Sequence, residues 1–234
     1  METTRTATIS PGEIAVGVEG LSLDRGDKRL FERMSWQLAA GCFLAVTGPS
    51  GSGKTSLLAC LRGQIQPTDG SVNFADDLPT SIGTVFQHLR LTNELSVLTN
   101  VLCGCLGSQP WWKTLFAFGS PEKQNAFELI KEFGLADLCH KPVRSISGGE
   151  QQRTAIARVL MQDPSVILAD EPTSNLDLKL AEQVLSRFRL LCAGRGKTVI
   201  AVLHDVELVE RFADFELKIG SAFADGWSLR KIKR

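Results

Sequence analysis

An α/β fold carrying a helical insertion is what this sequence predicts, and three observations predict it. Short runs of almost wholly apolar residues, at Phe43 to Val46, Val166 to Ala169 and Thr198 to Leu203, read as buried strands. Amphipathic helical patterns alternate with such strands, as they do when helices cover a sheet. From about Leu89 to Asp163 there is no convincing strand, so this stretch reads as helices inserted between two parts of the sheet domain.

The elements follow in order. Glu13 to Val18 reads as a strand of mixed character, and Phe43 to Val46 as the strand before a glycine-rich turn. Ser71 to Phe74 and Thr84 to Phe86 are shorter strand candidates. One helix starts near Gly53. A second covers about Pro121 to Phe133, with Phe127, Ile130 and Phe133 on one face. A third follows Gly148 and includes Ile156, Val159 and Leu160; a fourth follows Asp177 with Leu180, Val184, Phe188 and Leu191. No internal repeat or low-complexity segment interrupts the pattern.

Composition narrows the classes. The 234 residues carry 26 Lys plus Arg and 26 Asp plus Glu, so no net basic charge draws the chain to nucleic acid. None of the six cysteines forms a Cys-x-x-Cys pair or shows zinc-like spacing, which points to reduced, apolar cysteines. Met1 to Pro11 is polar and has no apolar h-region, so no signal peptide is expected. The charge-free windows Met34 to Gly53 and Leu95 to Trp112 are broken by Gly, Pro and polar residues and do not read as membrane helices. Any work at a membrane then goes through a partner.

The chemistry begins at Gly48-Pro49-Ser50-Gly51-Ser52-Gly53-Lys54-Thr55, between a buried strand and a helix. Such a turn aims several backbone N–H groups at a phosphate, and side chains at Gly48, Gly51 and Gly53 would block the approach. Lys54 would reach the β- and γ-phosphates, and the Thr55 hydroxyl would ligate Mg²⁺. The strand Val166 to Ala169 ends in Asp170 and Glu171. Asp170 can hold the metal, directly or through water, opposite Thr55, and Glu171 can polarise an attacking water. Ser147 and Glu150 have capping-box spacing, but a capping box does not require Gly148 and Gly149. Paired glycines at a helix start make sense if a phosphate approaches it. His204 follows the last buried strand, and Gln87 follows Thr84 to Phe86. Both strand ends should lie on the edge of the sheet where open α/β folds bind ligands.

Taken in order, these motifs resemble the nucleotide-binding subunit of an ATP-binding cassette transporter, from about Val16 to Gly226. The segment Ser147-Gly148-Gly149-Glu150-Gln151 is the most specific part of the match, and Ser174-Asn175-Leu176-Asp177 completes it. The resemblance implies a phosphate-loop NTPase core sheet with an N-terminal antiparallel β portion (about 13–87 and 164–226) and an inserted helical subdomain (about 88–163). It implies ATP and Mg²⁺ as cofactors and a homodimer with ATP sandwiched between the phosphate loop of one copy and the Ser147 segment of the other. Glu171 would then be the general base, and His204 would contact the γ-phosphate. Gln87 would sense metal or water and link to the permease, and Asp177 would lie in the loop that crosses the dimer. Integral membrane permease subunits, a solute-binding protein and a cytoplasmic position on the inner face of the membrane are implied as well.

Three departures from the family pattern stand out. Ile146 precedes the signature and Glu150 replaces a commoner glutamine; Thr55-Ser56 stands where Ser-Thr is usual. Arg25 falls where an aromatic usually stacks on adenine, and the chain has no tyrosine. Arg25 either stacks through its guanidinium plane or is a solvated turn residue. Residues Asn100 to Phe118, with Gly107-Ser108, Pro110, Trp112 and Phe116, resemble the helical region of phosphonate importer ATPases. The aromatics Trp111, Trp112, Phe116 and Phe118 belong either to partner docking or to the helical core. Glu171 to Asp177 resembles exporters and lipoprotein-release ATPases as much as importers. A soluble cassette ATPase acting on DNA or ribosomes fits less well, because the gap between phosphate loop and signature is short and without heptads.

Overall fold

The protein's structure, a computed structural model, describes residues 7–9, 13–26, 28–75, 82–108, 118–221, 223 and 225–232. The strands are β1 (Ala7–Ile9), β2 (Ile14–Arg25), β3 (Lys28–Ala39), β4 (Phe43–Thr47), β5 (Asp69–Phe74) and β6 (Ile82–Val85), then β7 (Val166–Ala169), β8 (Thr198–Val202), β9 (Phe215–Ile219) and β10 (Trp227–Lys231). The helices are α1 (Lys54–Leu61), α2 (Val97–Leu102), α3 (Ser120–Glu132), α4 (Gly148–Met161), α5 (Leu178–Arg195) and α6 (Val206–Phe212).

Two sheets form. One has the order β1-β3-β2-β5 and is antiparallel except where β1 runs parallel to β3. The other has the order β10-β9-β4-β8-β7-β6, parallel throughout except for the edge pair β9–β10. Parallel strands need crossover helices, and α1, α5 and α6 lie between successive strands of this sheet.

Strands buried on both faces should split their side chains alternately between two cores. Leu44 and Val46 face one cluster with Leu57, Leu58 and Leu61 of α1 and with Trp36 of β3. Phe43 and Ala45 face the other, with Val184 and Phe188 of α5 and the apolar sides of α3 and α4. Phe43 and Phe188 meet edge to face at 6.4 Å, worth about 1 kcal/mol beyond their burial. The helices of the insertion thus share a core with the parallel sheet rather than forming a separate one.

Several elements differ from the sequence reading. β2 is far longer than the strand expected at Glu13 to Val18, and β1, β3, β9 and β10 were not foreseen as strands; β10 also runs past Gly226. Phe127 is 40% exposed, and the buried side of α3 is instead Ala126, Leu129 and Ile130, continued by Phe133. Phe118 is half-buried against the core, whereas Trp111, Trp112 and Phe116 lie outside the described residues. All six cysteines are free and four are buried; burial pushes the Cys192 thiol up to about 12. Among the described residues no helix is long and apolar enough to cross a membrane.

β9 carries a buried acid. Glu216, 4% exposed, accepts from the Thr47 hydroxyl at 2.6 Å and from Arg230 Nε at 2.5 Å, tying β4 and β10 to β9. Burial raises its carboxyl, but Thr47 and Arg230 outweigh it and hold the carboxyl below its ordinary range. A depressed carboxyl contributes stability above the unfolded range and loses it as pH falls through the native value. Glu216→Gln should therefore lower stability at neutral pH by about 2–3 kcal/mol. In denaturant titrations the gap to the parent chain should narrow as pH drops below the ordinary glutamate range.

Candidate active site

The parallel register brings four strand ends to one edge. Val46 pairs with Val202, Ala169 with Ala201, and Val85 with Ala169. The chain leaving those strands supplies Gly48, His204, Asp170 and Gln87, respectively.

The phosphate loop is shaped by its glycines. Gly48, Gly51 and Gly53 all have positive φ, at 141°, 74° and 105°. A Cβ on Gly48 would lie 2.0 Å from the Ile219 carbonyl oxygen, and one on Gly53 would meet Leu30 at 3.1 Å. Gly53 starts α1 without any side-chain cap, which leaves the first N–H groups of the helix for another acceptor. Among the described residues, the buried Ser52 hydroxyl has no hydrogen-bond partner. A capless helix start, a lysine and an orphaned hydroxyl fit a polyphosphate.

Lys54, 7% exposed, donates through Nζ to the carbonyls of Gly48 at 2.8 Å and Pro49 at 2.9 Å. Burial lowers its ammonium pKa, and the nearby Glu171 and Asp170 carboxylates partly restore it. Thr55 Oγ1 donates to Asp170 Oδ1 at 3.2 Å, joining the two residues expected to share a metal. Asp170 is only 3% exposed. Burial raises its carboxyl pKa, the Thr55 hydroxyl opposes this, and the neighbouring Glu171 adds to it. Hard oxygen ligands of this kind suit Mg²⁺.

Glu171 stands in a left-handed conformation, φ 53°, rare for a residue with a side chain. Its Oε1 lies 2.8 Å from His204 Nε2, so the two strand ends meet. Its carbonyl accepts from the Ser174 hydroxyl at 3.1 Å and from Gln152 Nε2 at 3.2 Å. Gln152, on α4 and 1% exposed, thus braces the strained residue. Sequence reasoning missed it, because a glutamine inside a helix gives no signal.

Ser147 forms a full capping box with Glu150: the Ser147 N–H donates to Glu150 Oε2 at 2.7 Å, and the Glu150 N–H to Ser147 Oγ at 3.4 Å. The paired glycines differ. A Cβ on Gly149 would sit 3.1 Å from the Asn175 carbonyl of the same chain, so Gly149 serves internal packing. A Cβ on Gly148 would meet nothing within 4 Å, and that side is open. Asp177 caps α5, its Oδ1 accepting from the Leu180 N–H at 2.9 Å. Pro49 and Ser50 belong to the loop; Arg25 ends β2 and is exposed, opposite Lys28 across the hairpin turn.

Gln87 is exposed in the turn after β6. The segment beyond it is held from α4: Arg158 donates to the carbonyls of Leu89 at 2.7 Å and Arg90 at 2.6 Å, both residues having positive φ. The guanidinium groups of Arg90 and Arg62 lie over the Phe86 ring at 3.7 Å and 4.9 Å from its centroid. None of these arginines was singled out from the sequence.

Comparison with known proteins gives consistent results. The family described as ABC transporter matches residues 31–174. The phosphonates import ATP-binding protein PhnC of Escherichia coli (strain K12) is 38% identical over 234 residues, covering 91% of this chain and 89% of that protein. PhnC 2 of Oceanobacillus iheyensis is 36% identical over 217 residues, covering 86% and 85%. A dimeric ATP-binding cassette in a post-hydrolysis state, bound to ADP and Pi, superposes with a TM-score of 0.79 at 28% identity, covering 94% of this chain and 99% of that one.

A carboxyl whose native pKa is raised is most favourable to folding when protonated, and that advantage is lost as pH rises through the native value. Ionised Asp170 is therefore a stability cost at neutral pH. Asp170→Asn should raise the melting temperature of nucleotide-free, metal-free protein by about 2–4 °C, or ~1 kcal/mol. The increase should vanish below the ordinary aspartate range. A lower melting temperature at pH 7 would contradict the electrostatic account.

Proposed function

The chain belongs to the ABC transporter family, and from that premise we propose that it is the ATP-binding and ATP-hydrolysing subunit of an importer for phosphonate or a similar small solute. The reading rests on one convergence: the glycine-lined loop with Lys54 and Thr55, the paired acids Asp170 and Glu171, and His204 on a single sheet edge. The solute assignment draws on relatives that are named as phosphonates import proteins.

Bound ATP with Mg²⁺ supplies the phosphoryl group to be transferred to water and the cation that offsets its charge. Backbone N–H groups of residues 51–55 hold phosphate oxygens, and Lys54 exchanges its carbonyl partners for them. Thr55 and Asp170, already joined by a hydrogen bond, would hold the metal, and Gln87 would report on metal or water. Glu171 accepts the proton of the attacking water. His204 orients that carboxylate and contacts the terminal phosphate. A second copy of the chain contributes Ser147, Gly148 and Gly149; the open face of Gly148 leaves room for the approach, and the segment capped by Asp177 lies at the crossing point. Closure on ATP and reopening after hydrolysis drive permease subunits, with a solute-binding protein delivering cargo outside and this subunit on the cytoplasmic face.

Glu171→Gln should cut turnover by ~10²–10⁴-fold, the usual worth of a general base, while ATP still binds. Light scattering should then find a dimer with ATP and Mg²⁺; a monomer at saturation would sink the sandwich. Lys54→Ala should weaken ATP binding by about ten- to a hundredfold, and unchanged affinity and turnover would show the loop to be misassigned. Solute-stimulated turnover in proteoliposomes with the permease and binding protein tests the cargo: stimulation by phosphonate is expected, and its absence removes that assignment.

A further inference from the structure

The parallel sheet has a second edge, where its strands begin. A cavity of about 300 Å³ opens there. Asn125 of α3 borders it, together with Arg187 and Arg195 of α5 and with Asp163 and Lys197 from the turns that lead into β7 and β8. Asp163 and Lys197 come before those strands, whereas Asp170 and His204 come after them. The cavity and the nucleotide site therefore lie at opposite edges and share no residue.

Positive charge is in excess around the cavity. Arg187, Leu191 and Arg195 recur every four residues and share one face of α5. Arg195 Nη1 and Lys197 Nζ reach the same oxygen, Asp163 Oδ1, at 3.9 Å and 3.1 Å. Lys197, its side chain 16% exposed, also donates to the Asp163 carbonyl at 3.1 Å. Arg187 Nε lies 3.0 Å from Glu132 Oε1, yet it is buried and makes no hydrogen bond among the described residues. Three cations thus share two carboxylates, and the Asp163 side chain is 67% exposed.

We propose that this cavity binds a small tetrahedral oxyanion, phosphate or a phosphonate, between Arg187, Arg195 and Lys197. The site stands whether or not the phosphate loop takes a nucleotide. The surplus cation calls for a negative ligand. A guanidinium fork matches two oxygens on one phosphorus, and the lysine adds a compact charge. The volume is at the low end for small-molecule sites and suits an ion of a few heavy atoms. Ion pairs to an exposed carboxylate are weak, so the ligand displaces Asp163 with little loss. Because α3 belongs to the insertion and α5 to the sheet domain, the bound anion bridges the two.

The test is calorimetric titration of the full chain with inorganic phosphate and with methylphosphonate, each with and without a non-hydrolysable ATP analogue and Mg²⁺. A site with a dissociation constant of about 1 mM or tighter should persist when the analogue is present. Tighter binding of methylphosphonate identifies the occupant as solute of the imported class, and tighter binding of phosphate identifies it as free phosphate. Binding of neither overturns the proposal. Arg195→Gln, a change to an exposed side chain, should raise the constant about tenfold. Asp163→Asn should lower it several-fold, because the competing carboxylate is gone and asparagine tolerates the left-handed backbone at φ 51°. A gain of affinity cannot come from misfolding. Unchanged affinity in either variant overturns the proposal. So does loss of the anion on adding the ATP analogue, which places it in the phosphate loop instead.

Discussion

Everything at the site depends on the in-register parallel pairing of β6, β7, β8 and β4. Parallel strands end on the same side, so residues from four distant parts of the chain leave the sheet together. The Thr55–Asp170 hydrogen bond spans 115 residues of sequence, and Glu171 reaches His204 across 33. A slip by one residue in any pair would turn the alternate side chains of that strand into the wrong core. Because Phe43 and Leu44 face different clusters, the two cores lock the register between them.

That edge concentrates charge where water is scarce. Lys54 and Asp170 are each destabilised as ions by burial, in opposite senses, and each is partly relieved by the other. The site holds charged groups whose full complement of partners comes with its ligand, as functional sites often do. Strain is added at Glu171, whose left-handed backbone is braced by Gln152 and Ser174. The helix that bears the signature segment thereby also supports the candidate general base of its own chain.

The sequence was most readable where burial is complete on both faces. Val166–Ala169 has no polar residue to blur it and matches the strand as folded. β3 was opaque because Lys28, Arg29, Glu32, Arg33 and Gln37 break the apolar pattern, and Arg33 at φ 46° shifts its register. β9 was hidden by Glu216, a buried acid that sequence alone reads as exposed; only its partners on β4 and β10 make that burial tolerable. Phe127 misled because large side chains weigh most in a periodicity, while the small Ala126 takes the inward position. The motif residues were legible because their chemistry is local. Gln152 and Arg158 were not, because what they do depends on distant backbone.

Arg158 has a mechanical consequence. One guanidinium grips two successive carbonyls just past Gln87, and those peptides are already in an unusual conformation. With its fork spread over both oxygens, it resists twisting as well as pulling. It pins α4 to the neighbouring strand exit like a crankpin, at two adjacent points rather than one.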